Sequence, residues 1–147
     1  MKLDRGTLVL VGLDPTRGHE QRGVRPCIIV SDPDVTEDQR YPLLCVVPLT
    51  GRPGKGALYP ELASGSGGLR KRSFALLDQI RTVDKRHVLR IYGRIRAEEL
   101  DVVDEGLRLF LGLSKCPVRE VRYPLLRPST PLAAVFPVPL NSSSTPR

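Results

Sequence analysis

Arg25 stands where a polar, glycine-bearing stretch gives way to an apolar run, Pro26-Cys-Ile-Ile-Val-Ser31. A guanidinium rooted at the rigid start of a strand can reach a loop surface and grip two phosphate oxygens at once. Thr50 closes a second apolar run, Leu43-Leu-Cys-Val-Val-Pro-Leu49, just ahead of a glycine-rich stretch. Its hydroxyl can donate to the same anion. His19 lies in the loop before Arg25, and an imidazole with an ordinary pKa near ~6.5 suits proton transfer. The chemistry these types allow is stabilisation of a negatively charged phosphate with an acid or base beside it.

Two strands and the loops at their ends must position these groups. Thr7-Leu-Val-Leu-Val-Gly-Leu13 is rich in β-formers and stops at Asp14-Pro15, so the pattern predicts a strand, then an exposed loop over 14–24. Residues 26–31 predict a second strand ended by Asp32-Pro33, and 32–42 a further loop. Residues 43–49 are apolar nearly throughout and predict a strand buried on both faces, with Pro48 marking its end or an edge. A short strand is expected within 58–62, a strand over Ser73–Ile80, a helical turn over 84–89 and a last strand over 90–95. Leu100, Val103, Leu107, Phe110 and Leu111 follow helical spacing and predict a helix over Ala97–Leu113, with Glu98, Glu99 and Asp101 at its positive end and Gly112 as its stop. Short strands followed by a single C-terminal helix predict a mainly β fold, a small barrel or half-barrel.

The chain has 147 residues, 27% charged and 40% hydrophobic, which is ordinary for one globular domain. Its formal net charge is +7, which suggests a polyanionic partner. The excess is uneven. Residues 1–113 carry 18 basic and 15 acidic residues, whereas 114–147 carry 5 basic and 1 acidic, with 7 of the 14 prolines. We therefore divide the chain into a domain over 1–113 and a Pro-rich basic tail over 114–147, expected to be extended or disordered. No apolar run is long enough to span a membrane, and the N-terminus lacks the pattern of a signal peptide. Cys27, Cys45 and Cys116 have no metal-ligand spacing, so no metal site or disulfide framework is expected, and a cytoplasmic location fits. Cys27 and Cys45 lie in apolar runs and read as buried thiols.

The run Leu13-Asp-Pro-Thr-Arg-Gly-His-Glu-Gln-Arg-Gly-Val-Arg-Pro26 resembles the first loop of the MazF/Kid/PemK toxins. So does the order of Pro48-Leu49-Thr50, then Leu77-Asp-Gln-Ile-Arg-Thr-Val-Asp-Lys85, then a helix ending Leu-Gly-Leu113. The resemblance covers roughly residues 4–113. It implies an SH3-like barrel of the CcdB/PemK/MazF type that forms a homodimer. It also implies an endoribonuclease of a toxin–antitoxin system, sequence-selective and without metal or other cofactor. The partners implied are single-stranded RNA and a cognate antitoxin whose acidic segment lies across the RNA site. Arg25 and Thr50 fall on the catalytic positions of the MazF branch. His19 matches a loop histidine of the Kid/PemK branch, and Asp78 a carboxylate implicated there. The arginine that precedes that carboxylate by two residues is replaced by Leu76, so Asp78 is given a supporting role. Thr16, Arg17, Glu20, Gln21, Arg22, Asp78, Gln79 and Arg81 are the RNA-binding residues the resemblance implies.

The residue chemistry agrees with that reading. RNA carries its own nucleophile, the 2′-OH, so an RNase needs only to align it, help its proton leave and stabilise the charged phosphorane. Arginine seldom gives up its proton, so Arg25 is read as a charge stabiliser that can also donate toward the leaving 5′ oxygen. The base is His19 or solvent. Two alternatives belong to other classes. One is a CcdB-like toxin that binds DNA gyrase and cuts nothing; the other is an inactivated relative serving as a binding module. Tyr41 and Tyr59 are the loop aromatics available for base stacking. Arg70-Lys71-Arg72 reads as a solvated turn. From the proline density of 114–147 we predict that a chain truncated after Leu113 still melts cooperatively and still cuts RNA, its affinity falling most at low salt. Loss of the cooperative melt would place the tail in the core.

Overall fold

A strand made from Leu43–Thr50 needs cover on both faces, and the fold is organised around that requirement. In this computed structural model the described residues are 2–113; the tail over 114–147 and Cys116 lie outside them. The elements run β1 (Thr7–Gly12), β2 (Val24–Ile29), α1 (Pro33–Glu37), β3 (Leu43–Thr50), β4 (Glu61–Leu62), β5 (Ser73–Ala75), β6 (Arg81–Asp84), β7 (Val88–Arg94) and α2 (Ala97–Phe110). Single 3-10 turns occupy Ser66–Gly68, Leu77–Gln79 and Lys85–His87. The strands form a curled, antiparallel half-barrel sheet in the order β4-β5-β3-β2-β1-β7, with β6 also paired to β3. This is the mainly β class with a C-terminal helix that the sequence predicts.

Alternation along the strands builds a core on each face. Leu8, Ile28, Val30, Val47 and Leu49 join Leu77, Val103 and Leu107 beneath α2. Val9, Val11, Cys27, Ile29, Leu44, Val46 and Val83 form a second cluster on the opposite face. The sheet is drawn closed without a ladder between its ends. Gly67, in a left-handed conformation (φ +56°), lies against Gly93 of β7 so closely that a Cβ on Gly93 would stand 3.2 Å from the Gly67 carbonyl oxygen. Any larger residue at 93 would push the two backbones apart.

Pro48 sits inside β3, not at its end. Its carbonyl accepts the Leu76 N–H at 2.9 Å. On that edge β6 pairs with Leu43–Val46 and β5 with Leu49–Thr50, so the missing proline N–H falls at the change of partner. The same change of partner breaks the strand expected over 73–80. Residues 76–80 stand against residues 47–48 alone, and the surplus chain coils into the Leu77–Gln79 turn before β6 begins. The loop expected over 32–42 contains α1, started by Asp32, whose side chain accepts the Asp34 N–H, and by Pro33 in its first turn.

Helix α2 starts where expected and stops earlier. Leu111 caps it and Gly112 follows at φ +71°. Val103 and Leu107 are buried and Leu100 packs on the core, whereas Phe110 and Leu111, expected in the apolar stripe, are 42% and 52% exposed because the helix end overruns the sheet. Gly106 lets α2 approach the Leu77 turn: a Cβ there would collide with the Leu77 side chain and lie 2.8 Å from the Ala57 carbonyl oxygen. The start of α2 is held by Glu99. Its carboxylate accepts from Ala63 N–H at 2.8 Å, Arg96 N–H at 3.2 Å and the Ser66 hydroxyl. Burial pushes this carboxyl up, but the hydrogen bonds more than offset it and hold it below its ordinary value. We predict that Glu99→Gln costs about 1–3 kcal/mol at pH 7. A carboxyl whose folded pKa is depressed stabilises fully above its unfolded pKa and loses that stabilisation as pH falls through the folded value. The gap between wild type and variant in urea melts should therefore shrink below about pH 4.3.

Candidate functional site

The β2–β3 register places Arg25 and Thr50 together. Cys27 pairs with Pro48, Ile28 with Val47 and Ile29 with Val46. Continued past the last ladder pair, the same register sets Arg25 opposite Thr50. Arg25 also pairs with Val11 of β1, and Thr50 with Phe74 of β5. Directly paired residues share a sheet face. Arg25 therefore emerges on the face of Val11 and Cys27, Thr50 on that of Leu44 and Val46, and Arg81, which pairs with Val46, beside them. Two cations and a hydroxyl stand at the rim of the second core.

Their free hydrogen-bonding groups point to an anion. The Arg25 Nε donates to the Arg22 carbonyl at 3.1 Å, and among the described residues nothing else engages the guanidinium, which leaves its two terminal nitrogens for a bidentate contact. Thr50 Oγ1 accepts the Arg52 N–H at 3.2 Å, so its own O–H is available to donate. Arg25 is exposed and Thr50 half-buried.

The loop before β2 is ordered by its own side chains. Glu20 Oε2 accepts the Arg17 N–H at 3.2 Å, the Glu20 N–H returns to the Arg17 carbonyl at 3.3 Å, and an Arg22 terminal nitrogen donates to the Gly18 carbonyl at 3.3 Å. Gly18 supplies the positive φ (+60°) the turn requires. His19 is exposed at its tip; Thr16 and Gln21 are half-buried.

Glu20 meets the 78–82 segment. Together with Asp78, Gln79, Ile80, Arg81 and Thr82 it lines a hollow of about 310 Å³. Thr82 also borders a second hollow of about 220 Å³ that includes Tyr41. Glu20, Gln79 and Arg81 thus share one cleft. Asp78 lines it too, but its carboxylate is committed inward: Oδ2 accepts the Tyr59 hydroxyl at 2.6 Å, and Oδ1 is buried without a hydrogen-bond partner. The Asp78 carboxylate beside it raises the Tyr59 phenol above its ordinary pKa. Tyr59, expected as a stacking platform, is half-buried in this contact.

Sequence reading missed two neighbours of Thr50. Lys71 Cε would stand 3.9 Å from a Cβ on Gly51, and the Arg72 guanidinium lies 5.6 Å from the centre of the Phe74 ring, with Phe74 paired to Thr50. The signal was present in Arg70-Lys71-Arg72, but only the β5–β3 pairing brings it to the site. Among the described residues no three His, Cys, Asp or Glu side chains converge to hold a metal, and no helix is long and apolar enough to cross a membrane.

A curled sheet with a single C-terminal helix is the fold of a recognisable class. The chain belongs to the PemK-like, MazF-like toxins of type II toxin–antitoxin systems, matching that family over residues 4–111. It is similar to MazF from Deinococcus radiodurans, with 26% identity and a TM-score of 0.66 over 76% of this chain and 98% of that one. The MazE–MazF structure (Form-II) from the same organism gives 27% identity and 0.60 over 75% and 96%. An endoribonuclease from a Mycobacterial species, solved in complex with its cognate antitoxin, shares the fold at 18% identity and 0.63 over 75% and 95%.

Cys27 lies beneath the site, fully buried, two residues from Arg25, whose carbonyl its thiol faces at 3.6 Å. Burial pushes the thiol up to about 12, with the Arg81 charge pulling weakly the other way. The thiolate is the nucleophile, so we predict that iodoacetamide at pH 8.5 leaves Cys27 of the native protein unmodified and alkylates it after denaturation, as read by mass spectrometry of its peptide. Alkylation of the native protein at that residue would contradict the packing described.

Proposed function

We propose that this protein is an endoribonuclease toxin that cleaves single-stranded RNA sequence-selectively and without a metal ion. The observation that carries this reading is the juxtaposition of Arg25 and Thr50 across the open end of the β2–β3 ladder, on the face that also presents Arg81. Membership of the toxin family supports the class of activity.

In the reaction proposed, the 2′-oxygen of the substrate attacks the adjacent phosphorus and the bond from phosphorus to the 5′ oxygen breaks. The 2′-OH proton passes to His19 or to water. Arg25, gripping the phosphate with its terminal nitrogens, and Thr50, donating its hydroxyl, offset the charge that grows on the phosphorane. The leaving 5′ oxygen takes a proton from Arg25 or water. The products are a 2′,3′-cyclic phosphate and a 5′-OH. The cleft of Glu20, Gln79 and Arg81 offers donors and acceptors to a splayed base next to the cut phosphate. Thr16, Arg17, Gln21 and Arg22 line the approach on the loop.

The same cationic rim suits a carboxylate-rich antitoxin segment, which would compete with RNA for it. Assembly as a homodimer is supported by apolar surface that one copy leaves uncovered: Val102, Leu109, Phe110 and Leu113 are 42–57% exposed. The setting proposed is the cytoplasm, with 114–147 as an appended basic tail.

The test is cleavage of single-stranded RNA in chelator. We predict 2′,3′-cyclic phosphate and 5′-OH ends, and a block when the nucleotide 5′ to the cut is 2′-deoxy. Arg25→Ala should slow the reaction about 100-fold or more. Arg25→Lys should rescue poorly, because an ammonium cannot make the two-pronged contact, and Thr50→Val should be strongly impaired. In His19→Ala a flattened acid limb of the pH profile would make the imidazole the base, and an unchanged limb would leave that role to solvent. Full activity of Arg25→Ala, or cutting of the 2′-deoxy substrate, would overturn the mechanism. Toxicity with no new RNA ends would favour the gyrase-binding alternative.

A further inference from the structure

We propose that Tyr59 and Asp78 form a latch, a phenol hydrogen-bonded to an inward-facing carboxylate, that holds the glycine-rich segment 51–58 beside the cleft, so that both act on RNA as positioning residues. This rests on the RNA-cleaving reading of the cleft. The Tyr59 hydroxyl donates to Asp78 Oδ2 at 2.6 Å, and Oδ1 has no exposure through which a substrate could touch it. Asp78 therefore faces the protein, although it borders the cleft of Glu20, Gln79 and Arg81.

What the latch holds is defined by its surroundings. Segment 51–58 leaves directly from Thr50 and carries the exposed cations Arg52 and Lys55. At its start, the Arg52 N–H is tied to Thr50 Oγ1. At its far end, the Leu58 carbonyl accepts the Leu77 N–H at 3.1 Å, and the Pro60 carbonyl the Ala75 N–H at 3.0 Å. Between those anchors the backbone folds back over Tyr59: a side chain on Gly54 would run into the Tyr59 Cβ. The phenol is thus packed under the segment at one end and hydrogen-bonded to the Leu77–Gln79 turn at the other. That turn leads into Gln79 and Arg81. The β3–β5 and β3–β6 ladders already fix Thr50 relative to the cleft, and this contact adds to the backbone ties in holding the cations of 51–58 against both.

The tests separate the latch from a direct role. Tyr59→Phe should raise KM for a single-stranded oligonucleotide about 10-fold, the scale of one hydrogen bond to a charged group, with kcat changed less than about threefold. Asp78→Ala should reproduce that rise, and Asp78→Asn, which keeps an oxygen able to accept from the phenol, should recover most of it. Gly54→Ala should give the same KM effect by displacing the segment from the other side. A second readout needs no activity: trypsin should cut after Lys55 about 10-fold faster in Tyr59→Phe than in wild type, whereas Glu99→Gln, which loses a hydrogen bond to a carboxylate elsewhere in the fold, should show no such gain. If Asp78→Asn is as damaging as Asp78→Ala while Tyr59→Phe is silent, the carboxylate works by its charge on RNA and the latch is wrong. Unchanged cutting after Lys55 in Tyr59→Phe would overturn it equally. If wild type cleaves no RNA but the tryptic difference appears, the RNase reading fails and the latch stands as a loop anchor.

Discussion

Strand β3 is the constraint on which the rest of the structure depends. It is hydrogen-bonded to β2 along one edge and to β6 and β5 in turn along the other, and its side chains feed both cores. Such a strand is stable only if the partner along its second edge changes without leaving polar backbone unpaired. Pro48 meets that condition: it has no N–H to satisfy at the change of partner, and its carbonyl is taken by Leu76. Everything at the candidate site follows. Thr50 lies two residues beyond the proline on β3, paired to Phe74 of β5. The Leu77–Gln79 turn exists because the chain has residues to spare there. Arg81 opens β6 on the same face as Arg25.

The electrostatics of the site are mixed. Arg25 and Arg81 share a face with Thr50, Lys71 reaches Gly51 and Arg72 stands over Phe74, yet Glu20 and Asp78 line the cleft with Arg81, and Glu61 pairs with Arg72 at 3.6 Å. The carboxylates have structural duties. Glu20 closes the turn of its loop onto the Arg17 N–H, and Asp78 is occupied by Tyr59. Both orient cation-bearing segments, and Glu61, which pairs with Phe74 beside Thr50, is taken up by Arg72. Each anion placed in this way costs some long-range attraction for a polyanion and returns a defined geometry, which phosphoryl chemistry rewards more steeply.

Much of this was legible in the sequence. β1, β2, β3 and β7 announce themselves through β-branched and apolar runs between turn signals, and α2 through its 3.6-residue stripe. The first loop and the Leu77–Lys85 segment carry the family resemblance, and Arg25, Thr50 and the cleft residues are the site that resemblance implies. What was not legible depends on pairing. The apolar run 73–80 looks like one strand because nothing local in Leu76–Ile80 says that β3 changes partner opposite it. Phe110 and Leu111 continue a helical stripe that the sheet is too short to cover. The nearness of Lys71 to Gly51, and the inward turn of Asp78 onto Tyr59, arise from contacts between segments far apart in the chain. The start of α1 is an ambiguous local signal: Asp32-Pro33 serves as a turn and equally as an N-cap with proline in the first helical turn.

The central claim is that one sheet face, bounded by the first loop, segment 51–58 and residues 78–82, is where RNA lies. Amide hydrogen exchange on the full chain, with and without a saturating single-stranded oligonucleotide made uncleavable by 2′-deoxy substitution, addresses it most directly. The account predicts added protection at 14–23, 51–58 and 78–82, and none on the outer face of α2. Protection confined to α2 and β7, with those three segments unchanged, would contradict it.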